Sequence, residues 1–131
     1  MNTLFLVAAI IEGVFGIGFV LAPGFMLDPF GVTLNDIATT LARLSGTALV
    51  TFTLLLWLAR KSDSMEFKKG IIDCLLVYYP LSAVVLLMAQ LAGQMNILGW
   101  SVIAIHVVLF IWFGYFLVVR LPAQQKKAGA T

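Results

Sequence analysis

Charge is what this sequence has least of. Eight Lys and Arg and six Asp and Glu make up 11% of its 131 residues, where a soluble domain carries about 25%. So few charges cannot cover a globular surface in water, which excludes a soluble monomeric enzyme. The basic residues are also too few for a nucleic-acid footprint, so no nucleic-acid partner is expected. Cysteine occurs once, at Cys74, which excludes an intramolecular disulfide and a thiolate metal cage; its side chain reads as a small buried apolar group. Histidine also occurs once, at His106, so the chain alone cannot assemble a bis-His haem or a structural zinc site. No Ser-His-Asp order, phosphate-binding glycine loop or paired-carboxylate motif is present. Neither a cofactor nor a metal is therefore expected.

What the chain does have is apolar length. Hydrophobic side chains make up 62% of it, and the mean hydropathy is +1.07. A hydrocarbon core of about 30 Å needs roughly 20 apolar residues in helical form, and four such runs are present, at about 3–21, 37–59, 71–91 and 98–119. The runs are continuous and of helix length, which excludes a barrel of short alternating strands. The expected fold is all-α: an integral-membrane four-helix bundle forming one domain over 1–131, with a flexible cytoplasmic tail at 121–131. No Lys or Arg precedes the first run and Glu12 interrupts it, unlike a cleaved signal peptide, so the first span is read as retained.

Local signals punctuate the runs. Pro23-Gly24 ends the first, and Phe25, Met26, Leu27 and Phe30 mixed with Asp28, Pro29 and Gly31 read as an interfacial turn. Thr33 or Asn35 can cap the second helix, with Asp36 at its positive end. Asp63 followed by Glu66 reads as a cap for the third, and Pro80 in its middle predicts a kink. The short Gly93–Asn96 turn makes spans three and four antiparallel neighbours. Lys and Arg set the orientation. Arg60, Lys61, Lys68 and Lys69 lie in the middle loop and Arg120, Lys126 and Lys127 in the tail, while the other two loops have none. Both termini are thus expected on the cytoplasmic side of the cell inner membrane.

Three ionisable residues fall well inside the spans: Glu12, Arg43 and His106. Each costs about 2.5–3.5 kcal/mol near the centre of a span and so requires a partner or a role. Asp73 lies near a helix start, four residues from Lys69, and reads as structural. Glu12 shares a face with Ala9, Gly13 and Gly16, a small-residue stripe suited either to internal packing or to a dimer. At 1.5 Å per residue Glu12 lies roughly 16 Å, Arg43 about 9 Å and His106 about 12 Å below the outer edge of the core. Side chains lean toward their own helix N-terminus, so Arg43 is expected near His106, with Glu12 reaching them through an extended rotamer, a tilt or a water. Either Glu12 and Arg43 form a structural ion pair, or the three build a polar pocket. In that pocket Arg43 would recognise an anionic or carbonyl group, Glu12 or His106 would move a proton, and Gln90 and Gln94 would line the mouth. Trp57, Tyr78-Tyr79, Trp100, Trp112, Tyr115 and Phe116 read as lipid contacts and interfacial belts.

At Leu21-Ala22-Pro23 through Gly31, and at Ala42-Arg43-Leu44-Ser45-Gly46-Thr47, the chain resembles the broad group of small bacterial four-span proteins that includes DoxX-like families. That resemblance implies the four-span architecture and singles out Arg43 and Gly46. Its length, four spans and Glu12 in the first span are also similar to small multidrug resistance transporters, whose dimers exchange protons for cationic drugs at such a carboxylate. Against that likeness, Arg43 would partly neutralise a cation site, and the later spans lack that family's glycine-rich pattern. The expected function is an accessory subunit or a bundle binding a lipid or small hydrophobic ligand at a buried polar site. The alternative is a proton-coupled transporter or membrane-embedded enzyme using Glu12, Arg43 and His106. The expected partners are the lipid bilayer, a small hydrophobic or anionic ligand, and further copies of the chain or a larger membrane complex.

Overall fold

The computed structural model of the protein describes residues 1–120; the tail expected at 121–131 lies outside them. Its elements are α1 (Asn2–Leu21), a short α2 (Pro23–Leu27), a 3-10 turn (Asp28–Phe30), α3 (Asp36–Lys61), α4 (Met65–Leu91) and α5 (Gly99–Tyr115), which runs into a π-helical turn (Phe116–Arg120). The fold is all-α, and four of its helices are long and apolar enough to cross a membrane.

The helix ends follow local chemistry. Pro23 has no N–H to continue α1 and instead opens α2 at its first position. The segment read as an interfacial turn is mostly helical, closed by Gly31 at φ 75°, a conformation that favours glycine. Asn35 caps α3, its side chain accepting from the Ala38 N–H at 2.8 Å, with Asp36 in the first turn and Arg60 and Lys61 in the last. At α4 the cap is Ser64, accepting from Phe67 N–H at 3.2 Å, not the Asp63–Glu66 pair. Ser64 takes the role because the helix starts at Met65, one residue later than that pairing requires. Helix α4 continues through Pro80, whose ring nitrogen leaves the Leu76 carbonyl without its usual donor.

Helix α3 is rich in hydroxyls, and most are satisfied internally. Thr40, Ser45, Thr47, Thr51 and Thr53 each donate to a carbonyl three or four residues back, at 2.7–3.0 Å. In an apolar solvent such back-bonding removes the cost of an open donor.

The helices form two antiparallel pairs, α1 with α3 and α4 with α5, joined into a ring by α3 against α4 and α1 against α5. The first pair depends on missing side chains. A Cβ on Gly46 would lie 2.8 Å from Gly16 O and from Val20 N, one on Gly16 2.8 Å from Val50 N, and one on Gly13 3.2 Å from the Thr53 methyl. The small-residue stripe is therefore used inside the chain, on α3. These contacts fix an antiparallel register in which α3 overhangs the end of α1 by more than two turns.

The fully buried core lies at the end that carries the N-terminus: Leu4, Phe5 and Ala8 of α1, Leu56 and Ala59 of α3, Ile72 and Leu75 of α4, and Leu109 and Phe113 of α5. Lys68, counted above among the loop charges, belongs to α4 and is largely buried there. Cys74 is exposed rather than buried, since α4 turns its neighbours Ile72 and Leu75 inward instead. The opposite, far end is closed by Asn96, which donates through Nδ2 to Pro29 O and through its backbone N–H to Phe30 O, both at 2.8 Å.

The α1–α3 contact predicts opposite effects at two glycines. Gly46→Val pushes a side chain into backbone and should lower stability by about 2–3 kcal/mol. Gly70→Ala, where a Cβ meets nothing within 4 Å, should raise it by up to about 1 kcal/mol through helix propensity. Reversible unfolding of micelle-bound protein by sodium dodecyl sulfate measures both.

Candidate functional site

Just beyond the core, all four long helices contribute to one cluster. Helical spacing places Phe5, Ala8 and Glu12 on one face of α1, and Glu12 is buried with them, at 5% exposure. On α4, Tyr79 is fully buried, at 0%. Its ring stacks on Phe113 of α5 (centroids 5.8 Å apart, planes at 22°) and meets His106 edge-on at 5.9 Å. Tyr78 links the cluster to α3 through Phe52 at 4.9 Å, and lies 6.2 Å from His106. Phe5 of α1 closes the circuit against Phe113 at 6.0 Å.

The polar atoms of this cluster have unused hydrogen-bonding capacity. The Glu12 carboxyl and the Tyr79 hydroxyl are near enough to act on one another electrostatically, with Tyr78 close by. Glu12 is the group placed to pair with the buried Tyr79 hydroxyl, which no well-formed hydrogen bond satisfies among the described residues. His106 Nδ1 lies 2.8 Å from Val102 O. A carbonyl only accepts, so Nδ1 carries the hydrogen in this contact, and Nε2 makes no hydrogen bond among the described residues. A carboxyl, a phenol and an imidazole nitrogen can together donate to and accept from one polar group. Among the described residues no three His, Cys, Asp or Glu converge in a way that could hold a metal.

Burial is less complete beyond this layer. Toward the N-terminal end the inward residues are closed off. Toward the far end Gly16 of α1 and Ile103 and Gly99 of α5 are buried, whereas Phe15 and Phe19 of α1, Ser82 and Leu86 of α4 and Val102 of α5 are half-buried.

Arg43 is not part of this cluster. It is exposed and makes no ion pair with Glu12 among the described residues. The expectation that brought it to His106 measured depth from span ends taken as flush. With α3 overhanging α1, Arg43 lies level with the start of α2, about 16 Å along the bundle from Glu12. Gln90 and Gln94 are not brought to it either. Gln90 clamps the α4–α5 turn, donating to Met95 O at 3.3 Å and Asn96 O at 3.2 Å, and Gln94 is exposed in that turn. Asp73 forms an exposed ion pair with Lys69 at 2.8 Å. The residues that the sequence reading assigned elsewhere are Tyr78 and Tyr79. Their position, midway along α4 rather than at an end, is the signal that sets them apart from an interfacial belt.

If the Tyr79 hydroxyl is held for a ligand and not for the fold, Tyr79→Phe should leave stability within about 1 kcal/mol of the parent or raise it, because it removes a buried unpaired group. Phe113→Ala, which removes the ring beneath it, should cost about 3–5 kcal/mol. The same unfolding titration in micelles distinguishes these outcomes.

No curated protein and no solved structure matches the chain. One family does, over residues 6–126, a stretch that holds Glu12, Arg43, Tyr78, Tyr79 and His106. The chain belongs to the family described as Domain of unknown function (DUF8292).

Proposed function

We propose that the protein is a four-span bundle of the cell inner membrane, with both termini cytoplasmic, that binds a small hydrophobic ligand carrying one polar group. The ligand enters between the two helix pairs and presents that group to Glu12, Tyr79 and His106. Several features support the membrane placement. The four helices are of spanning length, and only 11–33% of each apolar window is buried inside the bundle, so most of their surface requires an apolar solvent. Trp57 sits beneath Arg60 at 5.1 Å and Lys61 at 5.2 Å, the pairing expected of an aromatic ring at a headgroup boundary. The clustering of Lys and Arg in the α3–α4 connection and the tail supports the orientation.

The observation that carries the ligand reading is the cluster of Glu12, Tyr79 and His106 set among apolar and aromatic side chains, in which the Tyr79 hydroxyl is buried without a well-formed hydrogen bond among the described residues. Apolar walls with a few convergent polar groups are the usual make-up of a small-molecule site. An accessory role within a larger membrane complex is compatible with such a ligand. The expectation that Arg43 takes part in this site is dropped, because of its distance from Glu12.

Mass spectrometry of what co-purifies in mild detergent tests the reading. The parent chain should retain one apolar compound near stoichiometry, and Glu12→Gln combined with Tyr79→Phe should lower its occupancy about tenfold, the effect of losing one charge-assisted hydrogen bond or more. Equal occupancy in the folded double variant, or a parent chain carrying only bulk lipid and detergent, would refute it.

A further inference from the structure

Arg43 is left without a role by the site above, and its surroundings supply one. We propose a second binding site, at the far end of the bundle, for the headgroup of a zwitterionic phospholipid, with Arg43 taking the phosphate and Asp28 the amine. The inference rests on the membrane reading but not on the ligand assigned to Glu12.

A cavity of about 450 Å³ opens where α2 meets the start of α3, lined by Gly24, Phe25, Asp28, Thr33 and Thr39 among others. Arg43 lies one helical turn beyond Thr39 on the same face of α3, and the α1–α3 register sets it level with α2. Helical side chains lean toward their own N-terminus, which for Arg43 is the direction of Thr39 and the cavity. Three polar groups here are unpartnered among the described residues. Arg43 is exposed and makes no ion pair. Asp28 is exposed, and only its backbone carbonyl is engaged, by the Gly31 N–H at 2.9 Å. Thr39 differs from Thr40, Thr47, Thr51 and Thr53 of the same helix, whose hydroxyls all return to a backbone carbonyl. Its own hydroxyl does not, although it is half-buried and faces the cavity.

Charge decides what fits. A guanidinium at the edge of a hydrocarbon layer requires an anion, and phosphate offers it paired charge-assisted hydrogen bonds. A simple anion would be repelled by Asp28, which lines the same cavity. A phosphodiester joined to a primary amine satisfies both charges, and the Thr39 hydroxyl can donate to a phosphate oxygen. Phe25, which lines the cavity and is 80% exposed, and Ile37, 73% exposed and two residues before Thr39 on α3, offer apolar surface for the acyl chains. The ligand class is therefore phosphatidylethanolamine rather than an anionic phospholipid, held in the non-cytoplasmic leaflet.

Native mass spectrometry of the full chain in mild detergent, titrated with phosphatidylethanolamine or phosphatidylglycerol of identical chains, tests this. The parent protein should prefer phosphatidylethanolamine, and Arg43→Gln should weaken its retention about tenfold, as loss of a charged hydrogen bond does, whereas Arg43→Lys should retain part of it. Asp28→Asn should abolish the preference for the amine-bearing lipid. Thr39→Val provides a second, uncharged weakening variant should Arg43→Gln fail to fold. Glycerophosphoethanolamine, the headgroup without chains, should not displace the lipid; if it does, the site takes a free phosphoester and the lipid assignment fails. Equal retention by the parent and the folded Arg43→Gln protein, or a preference for phosphatidylglycerol, would overturn the site. Recovery of the chain in the soluble fraction after lysis would instead overturn the membrane reading beneath it.

Discussion

The close approach of α1 and α3 sets the positions of everything else. Gly16 and Gly46 leave no side chain between the two backbones, so the helices cannot slide past one another without steric conflict. That contact fixes which residues share a level. It raises α3 beyond the end of α1, carries Arg43 up to α2, and leaves the level of Glu12 to be filled by aromatic residues from α3, α4 and α5. In a hydrocarbon solvent, where apolar burial gives little preference for one helix pairing over another, such small-residue contacts supply the specificity.

How legible the fold was depends on the range of the interaction that determines each part. Signals within one helix read directly. Asn35 is the cap of α3, Pro23 does end α1, and Lys69 reaches Asp73 one turn away, because all three depend on neighbours within four residues. The four long helices were readable from hydropathy for the same reason. The relative height of two helices is not a local property. Depth counted from the ends of spans put Arg43 beside His106, and only the Gly16–Gly46 contact reveals an overhang that separates it from Glu12. Tyr79 shows the same limit. Its residue type suits a membrane boundary, but its level is set by Phe113 and Phe5 on other helices. Gln90 was misplaced because its partners, Met95 O and Asn96 O, exist only once the α4–α5 turn has formed.

The polar residues of the apolar part of the chain divide into two kinds. Most have their hydrogen bonds met nearby: the hydroxyls of α3 other than Thr39 by its own carbonyls, the Gln90 amide N–H and Asn96 by the loops they join, His106 Nδ1 by Val102. These hold backbone and turns together, and their chemistry ends there. Glu12, Tyr79 and Arg43 are different, because the chain gives them position without giving them full partners.

That difference bears on why Glu12 and Arg43 remain apart. Opposite charges inside an apolar bundle lose much of their insertion cost when they meet, and removing one member of a buried pair costs about 3–5 kcal/mol. Here α3 holds Arg43 about eleven residues of helix rise from the Glu12 level, one turn from Thr39, which lines an open cavity together with Asp28, while Glu12 faces the Tyr79 phenol. Each charge therefore carries a cost that the other does not offset. On the proposed reading, an amphipathic headgroup at one end of the bundle and a polar group on an apolar ligand at its centre would offset these costs, and both would come from outside the chain.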